Sequence, residues 1–168
     1  MATIAIVFAF FLIELASRRV VHCAVTRSPT SRWVKQHLRE ATAWGEGPRF
    51  LIRDNDDKFD SSFDAVAEGT GITILHTPVR APNANAVCER FLRSVRRECL
   101  DHVIVLGEEH LWHILGRYCE YFNGARPHQG IRQRVPNERS EGSRAAHHGS
   151  VEEIPILGGL HHEYRLAA

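Results

Sequence analysis

The sequence of 168 residues almost lacks a net charge, since 21 Lys and Arg stand against 20 Asp and Glu. A whole-molecule field that draws in nucleic acid or a membrane is therefore excluded, and any such attraction must be local. Lysine is scarce: Lys35 and Lys58 stand beside 19 arginines. Because arginine presents a planar fork of donors that suits phosphate oxygens, this skew weakly favours a phosphate-bearing partner.

Paired cysteines and long hydrophobic runs are also missing. The four cysteines form no CxxC pair, which excludes a disulfide scaffold and is typical of reduced thiols in a cytoplasmic protein. The apolar run at residues 4–15 is too short to span a bilayer, no basic residue precedes it, and Glu14 lies inside it. Its β-branched and aromatic residues predict a buried strand, so a small exported protein is the least favoured interpretation.

The composition, with 43% hydrophobic and 24% charged residues, is that of one globular domain. Apolar patterns predict strands near residues 4–15, 20–26, 49–53 and 71–75, and helices near 30–41, 63–68, 85–100 and 108–123. This order predicts an α/β domain with a mixed sheet. From residue 136 the chain is rich in Ser, Gly, His and Glu, so we expect residues 136–168 to be a flexible tail.

Asp54 is the first candidate for an active-site residue, because it directly follows the predicted strand at residues 49–53. The carboxyl edge of a sheet strand is where α/β folds place active groups. On the later helix, Glu89, Arg93 and Arg96 recur at i, i+4 and i+7 and share one face. An adjoining stripe of that helix is predicted to be buried, namely Cys88, Leu92, Val95 and Cys99.

Carboxylates beside arginines suit work on a nucleic acid phosphodiester. Carboxylates hold Mg²⁺ or Mn²⁺, and arginines one or two turns further on hold the neighbouring backbone. Residues 80–97 contain five Arg and one Glu, a local charge of +4. The opposing interpretation is that Glu89 and Arg93 form an ordinary surface ion pair worth about 0.3–0.5 kcal/mol. Spacing alone does not decide between the two.

Four motifs in order resemble the catalytic core of integrase-type insertion-sequence transposases, which are relatives of retroviral integrase. They are Asp54-Asn55 with Phe59, the run Asn83-Ala84-Asn85-Ala86-Val87-Cys88-Glu89-Arg90-Phe91, Arg96, and Phe122-Asn123-Gly124-Ala125-Arg126-Pro127-His128-Gln129-Gly130. The resemblance covers roughly residues 5–135, and residues 157–164 are also similar to the tail of some bacterial members. It implies a ribonuclease-H-like fold, a catalytic core at residues 1–135, and a site of three metal-binding acids.

The resemblance also implies roles for single residues. Asp54 matches the second acid and Glu89 the third. Arg96 matches a basic residue that contacts DNA, and Asn85 belongs to the loop before the glutamate helix. Arg93 shares the face of Arg96, and Arg126 lies in a turn that is a further candidate for contact with the DNA backbone.

Two departures from the family pattern bear on activity. The family has its first Asp on the first, central strand, and here no Asp precedes Asp54. That strand is therefore expected to be missing, and Glu14 is the substitute considered for its acid. Asp56 stands where the family usually has Gly, and Asp costs more than Gly in a left-handed turn. With two acids in place of three, we expect weak or no binding of Mg²⁺ or Mn²⁺.

The sequence thus predicts a DNA integration protein that is a truncated or inactive copy, located in the cytoplasm, with no membrane partner. Transposon ends and target DNA are the expected partners, together with a second copy of the chain or an intact transposase. The alternative is a non-catalytic remnant that binds DNA or oligomerises and so modulates an intact transposase.

Overall fold

The structure, a computed structural model, describes residues 6–43, 47–54, 56, 58–77, 85–137 and 150–167. In chain order its strands and helices are β1 (Phe8–Ile13), β2 (Val20–Thr26), α1 (Ser31–Ala41), β3 (Phe50–Arg53), α2 (Ser61–Gly69), β4 (Thr73–His76), α3 (Ala86–Glu98), α4 (Glu108–Gly124), β5 (Val151–Ile156) and β6 (His161–Leu166). The predicted succession of strands and helices is confirmed through α4.

Two helices begin where a side chain caps the first turn. The Thr30 hydroxyl accepts a hydrogen bond from the backbone N–H of Trp33, and the Asp60 carboxylate accepts one from that of Phe63. Each cap satisfies a donor that has no partner inside its helix. Among the described helices, none combines the length and apolar character needed to cross a bilayer.

The strands pair in three separate two-stranded sheets. β1 and β2 are antiparallel, β3 and β4 are parallel, and β5 and β6 are antiparallel. The mixture of parallel and antiparallel pairs agrees with the mixed α/β prediction. Within the described part of the chain, the second edge of β1 and that of β3 pair with no other strand.

β1 lies between two layers of helices because its side chains alternate between two hydrophobic clusters. Phe10 and Leu12 pack with the cluster that includes residues of α1 and α2, whereas Phe11 and Ile13 pack with the cluster of α3 and α4. The prediction of a fully buried strand is wrong in one respect. Phe8 is 39% exposed and the rest of β1 is at most half-buried, since one edge of the strand is uncovered.

The buried stripe of α3 is shifted from the predicted one. Val95 and Cys99 are buried as predicted, but Phe91 takes the place assigned to Leu92. The Phe91 ring packs edge-on against Phe11 and Phe122, at 4.9 and 4.8 Å between centroids. Leu92 is 45% exposed because it faces the uncovered edge between β1 and β3.

Residues 150–167, which the composition assigns to a flexible tail, instead form the β5–β6 hairpin. Ile156 is buried, and the loop that follows turns through positive φ at Leu157, Gly158 and Gly159. His161 stacks on Tyr121 at 4.5 Å, and its Nε2 hydrogen-bonds the Glu98 carbonyl at 2.8 Å. The prediction failed because few apolar residues suffice when a hairpin docks on an existing helix surface.

Glu98 joins α3 to α4 and to the turn after it. Its carboxylate accepts hydrogen bonds from Arg126 at 2.6 and 2.8 Å and from the Tyr118 hydroxyl at 2.8 Å. Burial acts to raise the pKa of Glu98, but these hydrogen bonds and the Arg126 charge hold it below its ordinary value. The Arg126 guanidinium also lies 5.5 Å from the Phe122 ring, so this predicted DNA contact is an anchor of the fold.

We expect Phe91→Ala to lower the free energy of unfolding by about 3–5 kcal/mol, because it leaves a cavity among three packed aromatic rings. The adjacent substitution Leu92→Ala is the matched control and should cost less than about 1 kcal/mol. Urea denaturation followed by circular dichroism measures both. Equal losses would contradict the position of the core on α3.

We expect Glu98→Gln to lower the free energy of unfolding by about 1–3 kcal/mol at pH 7, since it removes the charge that pairs with half-buried Arg126. Because the folded pKa of Glu98 is depressed, this contribution is present above its ordinary pKa of 4.5 and disappears as the pH falls through the folded value. The measurement is urea denaturation between pH 7 and pH 3.

Glu120→Gln on the exposed face of α4 is the control for that series, since its ion pair with Arg117 is solvent-exposed. Its effect should stay within about 1 kcal/mol at any pH. A difference between wild type and Glu98→Gln that persists at low pH would show that the carboxylate charge does not carry the stabilisation.

Candidate functional site

Asp54 follows β3 directly, and its neighbour Arg53 fixes the turn. The buried Arg53 guanidinium binds both carboxylate oxygens of Asp64 on α2, at 2.7 and 2.8 Å. It also donates a hydrogen bond to the Asp54 carbonyl at 2.8 Å. The backbone that carries the Asp54 carboxylate is thereby tied to the end of the β3–β4 sheet.

Asp56 tightens the same turn. Its backbone N–H donates to the Asp54 carboxylate at 3.3 Å, and its own carboxylate binds Lys58 through the backbone N–H and Nζ. The hydrogen bonds from Lys58 hold the pKa of Asp56 below its ordinary range, despite slight burial.

Glu89 lies in the first turn of α3, whose N-terminal boundary is Asn85. The Glu89 N–H bonds the Asn85 carbonyl at 3.1 Å, and the side chain is exposed. A carboxylate in the first turn is stabilised by the partial positive charge of the helix N-terminus. The predicted position of this acid on an exposed helix start is therefore what the structure shows.

Asp54 and Glu89 act on the same neighbour, Cys88. Burial raises the pKa of the Cys88 thiol, and the negative charges of Asp54 and Glu89 raise it further. Asp54, Asn85 and Cys88 also line one cavity of about 1270 Å³. Two acids 35 positions apart in sequence are thus brought to one region, with carboxylate oxygens of the kind that Mg²⁺ and Mn²⁺ accept as ligands.

Glu14 lies at the far end of β1 from this region. Lys58, four positions after Asp54, lies 5.8 Å from the ring of Phe8 at the start of β1. Glu14 follows the other end of that strand, roughly 20 Å away at ~3.3 Å per residue. Its carboxylate binds Ser17 and Arg19 in the β1–β2 turn. The structure therefore gives no support to Glu14 as a substitute for the first acid.

Arg93 and Arg96 follow Glu89 along one exposed face of α3. Arg96 is 79% exposed and lies 3.6 Å from Asp101, a loose surface pair. Arg93 is exposed as well, and within the described ranges it forms no ion pair with Glu89. The interpretation of Glu89 and Arg93 as an ordinary surface pair is thus not what the structure shows.

The cavity between β1 and β3 runs along the unpaired edges of both strands. Every residue of β1 and of β3 lines it. Its walls include four large hydrophobic side chains that are 39–51% exposed, namely Phe8, Phe50, Leu75 and Leu92. Asp54 lies at one end of this groove, so the open backbone edges and the acidic region are continuous.

A cluster elsewhere was missed by the sequence reasoning. His22 of β2 lies against His37 and Glu40 of α1. The only sequence signal was the His-x-x-Glu spacing within α1, which places two ligand types on one helix face. His22 comes from a different element, and its position beside them depends on the packing of α1 on β2.

Comparison with known proteins agrees with this architecture. Residues 70–136 match the integrase core domain family. In structure the chain is similar to a chain of the simian T-cell lymphotropic virus intasome in complex with PP2A regulatory subunit B56 gamma (TM-score 0.61, 12% identity, 93% of this chain and 59% of that one). It thus spans less than two thirds of that relative.

The chain is also similar to the catalytic core domain of BIV integrase (TM-score 0.58, 18% identity, 77% of this chain and 82% of that one). No curated protein matches the chain in sequence. The family match includes Glu89 and the arginines of α3 but not Asp54, and the two structural likenesses each cover a larger share of the chain than the family match does. Residues 70–136 are therefore similar to an integrase core domain, and the fold of the chain is similar to the folds of these two retroviral integrase structures.

Proposed function

We propose that this chain is a transposase catalytic-domain protein for DNA integration, in a copy that is inactive on its own. The observation that carries the proposal is the convergence of Asp54 and Glu89 on Cys88, in a chain whose residues 70–136 match the integrase core domain family. The reaction of this lineage is metal-dependent transfer of DNA strands. The lineage and the activity of this copy are separate parts of the proposal.

Asp54 and Glu89 are the proposed ligands of one divalent ion. Mg²⁺ in proteins is held by one or two carboxylates and completes its octahedron with water and substrate phosphate oxygens. Asp54 and Glu89 offer that donor set. When bound, Mg²⁺ or Mn²⁺ neutralises phosphoryl oxygens and activates the attacking hydroxyl. No Asp precedes Asp54 to match the first acid of the family pattern, which supports weak metal binding.

Arg93 and Arg96 are the DNA-binding residues of the proposal. They lie one and two turns after Glu89 on an exposed face, so a phosphate backbone that reaches Glu89 passes over them. Asn85 contributes from the helix start. Arg126 is not included, because its guanidinium is bound to Glu98.

The groove between β1 and β3 is the proposed place of a further strand, which the described residues do not supply. An added strand there would pair with both open edges and cover Phe8, Phe50 and Leu92. It would also end beside Asp54, where a further acid would complete the site. Without it, the exposed arginines remain able to bind DNA, which favours a DNA-binding remnant as the second candidate function.

DNA binding tests the arginine face. With a fluorescent duplex and metal-free protein, we expect salt-sensitive binding whose log–log salt slope falls by about one for each of Arg93→Ala and Arg96→Ala. Arg117→Ala on α4 is the control, since this arginine is exposed but paired with Glu120. Equal losses from all three variants, or no binding, would count against the proposed face.

Joining of oligonucleotide ends in Mn²⁺ tests the catalytic part. We expect no joining by this chain, because two acids do not build a shared two-ion site. A form extended at its N-terminus by an apolar strand carrying one Asp should join ends, and Glu89→Gln should abolish that activity. Joining by the unextended chain that depends on Glu89 would overturn the inactive-copy proposal.

A further inference from the structure

A cluster of three metal-ligand side chains bridges β2 and α1, away from the Asp54 region. His22 Nε2 lies 3.0 Å from His37 Nδ1, and Glu40 Oε2 lies 2.9 Å from the same His37 nitrogen. The ligand atoms of all three residues lie within 4.8 Å of one another. One point in space is therefore within reach of two imidazole nitrogens and one carboxylate oxygen.

The fold holds the two rings in place. His37 and Glu40 are three residues apart on α1, which puts them on one helix face. The Trp33 ring packs edge-on against the His37 ring, with 4.3 Å between the ring centroids. The centroid of the Phe10 ring lies 6.3 Å from that of His22 and 6.5 Å from that of His37. Glu40 is about half exposed, so the cluster has an apolar wall on one side and an opening to solvent on the other.

The three atoms do not satisfy one another by hydrogen bonding alone. His37 Nδ1 has either one proton or one lone pair, yet it faces both His22 Nε2 and Glu40 Oε2. If His37 Nδ1 carries a proton and donates it to the Glu40 carboxylate, it has no lone pair left to accept a hydrogen bond from His22 Nε2. If His37 Nδ1 instead accepts a hydrogen bond from His22 Nε2, its lone pair also faces the Glu40 carboxylate, which can only accept when ionised.

We propose that His22, His37 and Glu40 form a binding site for Zn²⁺ or a similar divalent transition metal. Zn²⁺ binds imidazole nitrogen and carboxylate oxygen at about 2.0–2.2 Å, with four ligands in a tetrahedron. Ligand atoms of such a tetrahedron are about 3.3–3.4 Å apart, so binding lengthens the two distances to His37 by a few tenths of an ångström and brings the His22 and Glu40 ligand atoms, which lie within 4.8 Å of each other, to a similar separation. The open side admits water as the fourth ligand. Nitrogen ligands favour Zn²⁺ over the Mg²⁺ or Mn²⁺ of the carboxylate site.

The consequence is a cross-link between the β1–β2 hairpin and α1. These elements flank the open groove, and one cluster of hydrophobic side chains already joins them there. A metal that binds only the folded chain stabilises it in proportion to its affinity and concentration. The proposal rests on the geometry of this cluster alone and does not depend on the proposed function.

The experiment is a titration of the full chain with Zn²⁺ against a chromophoric chelator, with Co²⁺ absorption as the second readout. We expect one saturable site whose Co²⁺ complex shows the visible bands of tetrahedral coordination, and a higher melting temperature with Zn²⁺. His22→Gln and His37→Gln should each weaken Zn²⁺ binding by at least about 10–100-fold. Removing a residue that only orients a metal ligand already causes a loss of that size, and these two residues are proposed ligands.

Two controls separate this site from others in a chain with 11 histidines. His113→Gln removes an exposed histidine outside the cluster, and Glu89→Gln removes an acid of the DNA site; both should leave Zn²⁺ affinity unchanged. Circular dichroism of the glutamine variants confirms that they are folded, and Glu40→Gln gives a third variant on the exposed rim. Overturning results are the absence of a saturable site, or a Zn²⁺ affinity that the His22 and His37 variants do not change.

Discussion

Backbone hydrogen bonding at the two strand edges that face the groove, those of β1 and β3, is the constraint on which the rest of this structure depends. A strand in a buried sheet needs a partner on each side, because an unpaired N–H or C=O group away from water is costly. Among the residues that the structure describes, β1 and β3 each pair with one strand, and the groove between them leaves the other edge of both strands open. The half-buried side chains of β1 and the exposure of Leu92 follow from that opening.

The two helical layers hold their positions in spite of the groove, because β1 contributes to both hydrophobic clusters. Its alternating side chains reach α1 and α2 on one side and α3 and α4 on the other. The aromatic contacts of Phe91 with Phe11 and Phe122 join α3 to β1 and α4. This packing places the start of α3, and with it Glu89, near the end of β3.

Charged groups fall into two kinds in this molecule. Arg53 and Arg126 are held by carboxylates and serve the fold, whereas Arg93 and Arg96 project from the exposed face of α3. Arginines of the family-like motifs are therefore found in both settings, bound to a carboxylate inside the fold or exposed on a helix face. Asp54 and Glu89 differ in the same way from Asp64 and Glu98, since the latter two are bound to arginines.

The sequence by itself determined the order of strands and helices as far as α4, the exposed acid at the start of α3, and the place of Asp54 after a strand. These features depend on local periodicity, on capping residues such as Thr30 and on turn residues, all of which are written in short stretches of chain. Only the tertiary structure decided that Phe91 rather than Leu92 is buried, that Arg126 binds Glu98, that residues 150–167 dock as a hairpin, and that His22 meets His37. Each of those outcomes depends on which surfaces of distant elements face each other, and periodicity within one element leaves that choice open.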